Sequence, residues 1–272
     1  MKVALCFLIS GKQIVNKEQI WIKWLNDFEN KDLFNIYFHY KDYNTISSPW
    51  IKQHAIPHNY IAQTSYYYVV PAYMNLLAYG LKHDKENQWF IFLTESCVPI
   101  LSPTQFEALF LSYHNYSILN WRKPWWNIDL VKRANLNKLK KNLQFGHDPY
   151  FVLKREDVLS LIKGLSLSPA LFNIYKIVCR GAVANESVFA ILFYLLGLLE
   201  SKNMINAATH ATDWSRQSSP TSPHIFSAIS NKNADQQFIS QFLQINKYTL
   251  FLRKVAPDFS DDIIYDKIKN QK

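Results

Sequence analysis

The chain has 272 residues, 49% hydrophobic and 19% charged, enough apolar material for a full core built as one large α/β domain or two small ones. Its net charge of +9, from 30 basic and 21 acidic residues, suits an anionic partner: a nucleotide diphosphate, nucleic acid or an anionic membrane surface. The three cysteines, Cys6, Cys97 and Cys179, lie far apart with no CxxC pair, which argues against a zinc site or disulfide framework and suits a reducing compartment.

In chain order, "KVALCFLIS" reads as a buried first strand. Its apolar run of about seven residues is at the bottom of the signal-peptide range and no small-x-small site follows, so no export signal is expected. "KEQIWIKWLNDFE" spaces Ile20, Trp21, Trp24, Leu25 and Phe28 as a helix does, and "FNIYFHY" is a second, aromatic-rich strand. "PAYMNLLAYGLKH" predicts a helix with Pro71 in its first turn, where proline is tolerated. "WFIFLTES" is a third strand, too apolar for an edge, and "SPTQFEALFLSY" a helix capped by Ser102 with Pro103 at its first position. This alternation over residues 1–113 predicts an α/β fold with a mostly parallel, wound sheet and helices on both faces.

Beyond it, "LNWRKPWWNIDLVKRANLNKLKKN" is basic and aromatic without a clean period, and "YFVLKREDVLSLIKG" returns as strand then helix. The polar stretch 200–235 is long for a loop and reads as a binding segment or lid. The tail mixes a helix, the apolar "YTLFL" and a polar end whose adjacent Asp261 and Asp262 read as solvated. Within "GAVANESVFAILFYLLGLL", residues 181–199, the thirteen residues after Glu186 carry no charge. That run is short of the roughly 20 residues of a membrane span. Glu186 reads either as an acid in the first turn of a helix, stabilised by its dipole, or as a base mounted on a rigid apolar post.

Several chemistries lack their residues. There is no GxGxxG, no GxxxxGK[ST], no GxSxG, no HExxH and no Asp-x-Asp after a strand, and only six glycines in all. Ligands of wound sheets bind at the carboxyl ends of strands, which puts "HYKD" (39–42) and "TESC" (94–97) in play. Glu95 is thus a donor-pocket candidate or a solvated loop acid.

Seven blocks resemble the core-2/I-branching β-1,6-N-acetylglucosaminyltransferase family, in family order across roughly residues 3–258. "FIFLTESCVPILSPTQFEAL" is similar to its apolar strand followed by Leu-Ser-x-Ser-Cys/Asp-x-Pro-Leu. "AQTSYYYVVPAYMNLLAYGL" matches the preceding segment, with Thr64 and Tyr67 at the donor-side Thr/Ser-Trp positions. "FNIYFHYKD" matches "IxIHxD", with Lys41 at the uracil-side carboxylate and Asp42 next to it. "FGHDPYFVLKREDV", "ANESVFA", "ATDWSRQSSPTSPHIF" and "LFLRKVAPD" fit the remaining blocks, Asn185 replacing an acid.

The resemblance implies a GT-A-like single catalytic domain over 1–272, with a donor half at 1–115 and an acceptor half at 116–272. It implies an inverting, metal-independent transferase that moves a sugar, GlcNAc first, from a UDP-sugar to a glycan hydroxyl. Glu186 falls on the family's base. Lys254, with Arg253 beside it, falls on the diphosphate cation. A second family cation falls on His224, with Arg216 or Lys232 as substitutes. Trp214 matches an acceptor-site ring, and Trp121, Arg122, Trp125, Trp126 and Arg133 align loosely with the acceptor segment. No cofactor or metal is implied. The expected partners are a UDP-sugar and an oligosaccharide or lipid-linked glycan, with peripheral membrane contact and no nucleic acid. Family members from animals carry an anchor, a stem and disulfides; this chain reads as a cytoplasmic enzyme of bacterial or viral type without signal or anchor. The alternatives are a UDP-xylose- or UDP-glucose-dependent transferase on the same fold, a catalytically dead member, and a basic nucleic-acid-binding protein that uses residues 121–141.

Overall fold

The computed structural model describes residues 1–269. In chain order the elements are β1 (Lys2–Leu8), α1 (Glu18–Asn26), β2 (Phe34–His39), α2 (Pro49–Gln53), α3 (Val70–His83), β3 (Asn87–Thr94), β4 (Val98–Pro99) and α4 (Pro103–Tyr113). Then come β5 (Ser117–Ile118), β6 (Trp121–Arg122), β7 (Gly146–His147), β8 (Val152–Lys154), α5 (Arg155–Leu167), α6 (Pro169–Cys179) and α7 (Val188–Leu195). The chain continues through β9 (Met204–Ile205), β10 (His210–Thr212), α8 (Lys232–Ile245), β11 (Phe251–Arg253) and α9 (Asp261–Lys269).

The main sheet has the order β2-β1-β3-β8-β5-β9. β1 pairs parallel with β2 and β3, β8 pairs antiparallel with β3 and β5, and β9 returns parallel to β5, so β8 alone runs against the rest. A smaller sheet, β10-β11-β4, packs beside it, and β6 pairs with β7 in a ribbon.

The alternation of side chains along β1 decides which core each residue enters. Val3, Leu5 and Phe7 point to a core shared with Trp21 and Trp24 of α1 and Phe106 and Phe110 of α4. Ala4 and Cys6 point to the other, with Tyr73, Leu76 and Leu77 of α3 and the wholly apolar Val188–Phe193 run of α7. β3 repeats the split, Trp89, Ile91 and Leu93 on one face and Phe90 and Phe92 on the other. Helices therefore cover both faces, as the sequence predicts. Ser102 caps α4 with a reciprocal bond to Gln105, and Pro103 stands in its first turn.

Two expectations change. The stretch 200–235 is not one long loop: β9 and β10 interrupt it and α8 begins at Lys232, leaving 213–231 irregular. Asp261 is exposed, in line with its reading as solvated, but it is not free. It opens α9 and binds the buried Lys17 ammonium at 2.6 Å, which also donates to Pro257 O at 2.7 Å. The tail is thus pinned to the start of α1, because a buried ammonium needs several acceptors at once.

Candidate active site

The carboxyl ends of β1 and β2 are tied by Gln13, a residue that motif reasoning misses. Its backbone is left-handed, with φ of 51°, and its side chain is buried. The amide oxygen accepts from the N–H groups of Lys41 and Asp42, each at 2.8 Å, and the amide nitrogen donates to Asp42 O at 2.8 Å. A strained backbone persists only where its surroundings over-determine it, as these three bonds do. Beyond them the Lys41 ammonium reaches the carbonyl and hydroxyl of Thr64. Lys41, Asp42 and Thr64 are therefore neighbours. Asp42 is exposed, and its carboxylate accepts the Asn44 N–H at 3.0 Å. His39, held near pKa 4 by burial and by the Lys41 charge, stays neutral and accepts the Ala62 N–H at 2.9 Å.

The end of β3 meets the end of β11. Val255 N–H donates to Ser96 O at 2.9 Å, and Asn16 bridges Glu95 O and Val255 O at 2.9 and 2.7 Å. This sets Glu95 beside the Arg253–Lys254 pair. The Arg253 guanidinium lies 4.0 Å from the centroid of the Tyr150 ring, and its buried Nε has no hydrogen-bond partner. His210, whose ring lies tilted against those of Tyr150 and Phe251 at 5.1 Å each, also leaves Nε2 unpartnered. Burial first, and Arg253 second, keep His210 neutral far below its ordinary range. Lys254 and the Glu95 carboxylate make no side-chain hydrogen bond or ion pair among the described residues. A guanidinium nitrogen left without a partner beside a strand end is a donor that an anion can use.

His224 and Arg216 are placed differently. Arg216 bridges two buried carboxylates, Asp213 at 2.6 Å and Asp235 at 2.9 Å, and His224 Nε2 lies 3.0 Å from the same Asp235 oxygen. Both side chains are engaged in folding the 213–224 loop onto α8, although Arg216 keeps one buried nitrogen, Nη2, without a partner. Lys232 opens α8 and is exposed. Trp214 projects from that loop, about half exposed.

Glu186 is not in the first turn of α7. It ends a short 3-10 turn, Ala184–Glu186, and Ser187 separates it from the helix. The α7 amide of Phe189 donates instead to His147 Nε2 at 3.3 Å, while His147 Nδ1 bonds Asp148 O at 2.8 Å. Burial holds His147 near pKa 4, the neutral form this pairing needs. The helix-cap reading thus has no bond to support it. The shift is also upward rather than the downward one a helix dipole would give: burial pushes Glu186 above its ordinary pKa, opposed by Arg133, with Asp148 raising it and Arg253 and Arg122 lowering it.

The Glu186 side chain keeps 21% exposure and accepts from Arg133 Nη1 at 3.2 Å. Arg133 in turn lies 5.3 Å over Trp126, and Arg122 4.2 Å over Trp125. The two tryptophans meet edge to face at 4.7 Å, and Gly146 has no side chain because a Cβ would stand 2.8 Å from Trp125. Arg122 also pairs with Asp148 at 3.2 Å, and Trp121 joins the ribbon opposite His147. The Arg133 and Glu186 loops are joined at Gly181, where a Cβ would lie 2.4 Å from Asn135 N. Ala134, Asn135 and Val183 flank this contact with left-handed φ of 53°, 51° and 57°. Val183 N–H donates to Tyr67 O at 2.9 Å, which brings the exposed Tyr67 to the same rim.

The arrangement is a partly buried carboxylate between fixed cations, rimmed by aromatic rings, with the Arg253 guanidinium acting on the same field. It can accept a proton and offer ring faces to a sugar. Among the described residues no group of three or more His, Cys, Asp or Glu side chains could hold a metal ion. A family model described as "Branch: Core-2/I-Branching enzyme" matches residues 5–238. No curated protein matches the chain.

Proposed function

The chain belongs to the core-2/I-branching enzyme family and is a glycosyltransferase with a GT-A-like fold; from that premise we propose that it is an inverting, metal-independent transferase with Glu186 as its base. The family implies a nucleotide-sugar donor and a glycan acceptor. In this reading the donor is a UDP-sugar, with UDP-GlcNAc first. The observation that carries the reading is the Glu186 carboxylate, partly buried and held by Arg133 at 3.2 Å.

Glu186 takes the proton from an acceptor hydroxyl as its oxygen attacks the anomeric carbon. The new carbon–oxygen bond forms as the bond to the β-phosphate oxygen breaks, and that electron pair leaves with UDP. Attack from the face opposite the leaving group gives a β-linkage. The charge growing on the diphosphate meets Arg253, whose Nε has no other partner, and Lys254 next to it. Fixed cations there perform the task that a clamped metal performs elsewhere. Lys41, Asp42 and Thr64 at the β2 end serve the nucleoside, and Trp125, Trp126 and Tyr67 serve the acceptor.

A thermal-shift titration with UDP tests the donor half. UDP is expected to raise the melting temperature equally with and without EDTA, since binding to the native state alone stabilises it. Arg253→Met is expected to weaken UDP by about 10- to 150-fold, the loss of one charge-assisted contact of roughly 1.5–3 kcal/mol. A shift that vanishes in EDTA and returns with manganese would contradict the metal-free reading.

A further inference from the structure

The Glu186 site uses Arg133 and the tryptophans but does not explain where the chain keeps its charge. Residues 1–120 carry nine basic and nine acidic side chains, whereas residues 121–202 carry thirteen basic and six acidic, so seven of the nine net positive charges lie in that one segment. No acid occurs between Asp129 and Asp148, nor between Asp157 and Glu186. The first gap exposes Lys138, Lys140 and Lys141, because the interleaved Leu136, Leu139 and Leu143 are buried beneath them. The second gap spans most of α5 and all of α6. Exposed Phe172, Lys176 and Arg180 recur there every four residues and so form one stripe along α6.

The two acid-free segments are neighbours. Asn135 Nδ2 donates to Ile177 O at 2.9 Å, and Ala134 N–H to Ala182 O at 2.8 Å. Large aliphatic side chains stand out from the same segments: Leu130 is 80% exposed, and Leu167 is 70% exposed at the corner where α5 and α6 bend by 101°. A nucleic acid would match the cations but has no use for protruding leucines, since its bases need aromatic platforms. A bilayer of anionic lipid matches both features, with phosphate charge at its surface and acyl chains just below. Among the described residues no single helix is long and apolar enough to cross a membrane, so contact would be along the surface.

We propose that this face, from Leu130 through the 138–141 lysines and along α6, docks on an anionic lipid bilayer, with Glu186 at its rim. The proposal does not depend on the transferase chemistry, because vesicle binding requires no turnover. Flotation of the full chain with phosphatidylcholine vesicles, with and without phosphatidylglycerol, tests it. Binding is expected only with phosphatidylglycerol and is expected to fall as salt rises. The triple variant Lys138→Glu, Lys140→Glu, Lys141→Glu should lower the partition coefficient by at least about 100-fold, since each basic residue near such a surface contributes about fivefold. Leu167→Ser should weaken binding without flattening its salt dependence. Glu186→Gln should bind vesicles like the wild type. Equal binding to both vesicle types would overturn the proposal, as would wild-type binding by the folded triple variant. So would tighter binding to a single-stranded oligonucleotide, lost in that variant, which would make the face a nucleic-acid surface. If the triple variant does not fold, a wild type that shows no preference for phosphatidylglycerol still overturns the proposal, and Leu167→Ser still tests the face.

Discussion

Glu186→Gln is expected to lower single-turnover transfer by roughly 10²–10⁴, the usual share of general-base catalysis, while UDP affinity stays within a few-fold of wild type. Gln keeps the length and shape of the side chain and can still accept from Arg133, but it cannot take a proton. The fold is expected to survive, because Glu186 is outside α7 and that helix is held by its own apolar core and by His147. Melting temperature should therefore change little. Transfer at the wild-type rate in the folded variant would remove Glu186 from the chemistry and leave its pair with Arg133 as a structural contact.

Gly181→Ala is expected to be nearly as damaging by a different route. The new Cβ would stand 2.4 Å from Asn135 N and 2.6 Å from Ala134 C, both backbone atoms that cannot swing aside. The two loops must part, and they carry Arg133 and Glu186. Overpacking of this kind costs about 1–3 kcal/mol, read as a lower urea midpoint. A displacement of about 1 Å in the base can cost on the order of 10² in turnover. UDP affinity should hold, because Arg253 and the β2 end lie on other elements. An unchanged urea midpoint together with unchanged transfer would show that the loops tolerate separation and that their strained junction does not position the base.

The parts of this molecule with a local period were legible in its sequence. β1 and β3 announce themselves by apolar runs, and α4 by Ser102–Pro103. The same signal recurs at Ser168–Pro169, and Ser168 does accept the Leu171 N–H at the start of α6. The pairing of Glu186 with Arg133 was not legible as geometry, since 53 positions separate them and the contact depends on a glycine at a third place. Gln13 carries no pattern at all. Its role is to satisfy the backbone of another loop, a matter of tertiary position, though the rule that directs attention to the ends of β2 and β3 applies equally to the end of β1. Local position alone points the Glu186 pKa the wrong way, because desolvation raises it and the carboxylate does not sit in the first turn of α7.

The central claim is that Glu186 itself accepts the acceptor's proton, and the pH profile of kcat/KM for the wild type and Arg133→Gln tests it most directly. The base must be ionised, so kcat/KM should fall as pH drops through the Glu186 pKa. Burial sets that acid limb above the ordinary glutamate range, with Arg133 the strongest of the charges that oppose the rise, Arg253 and Arg122 aiding it and Asp148 working against it. Removing the Arg133 charge takes away a force that favours the ionised form, so the acid limb should move to higher pH, whatever happens to the plateau. An acid limb that stays in place when Arg133 loses its charge would mean that another group carries the proton, and the proposed mechanism would be wrong.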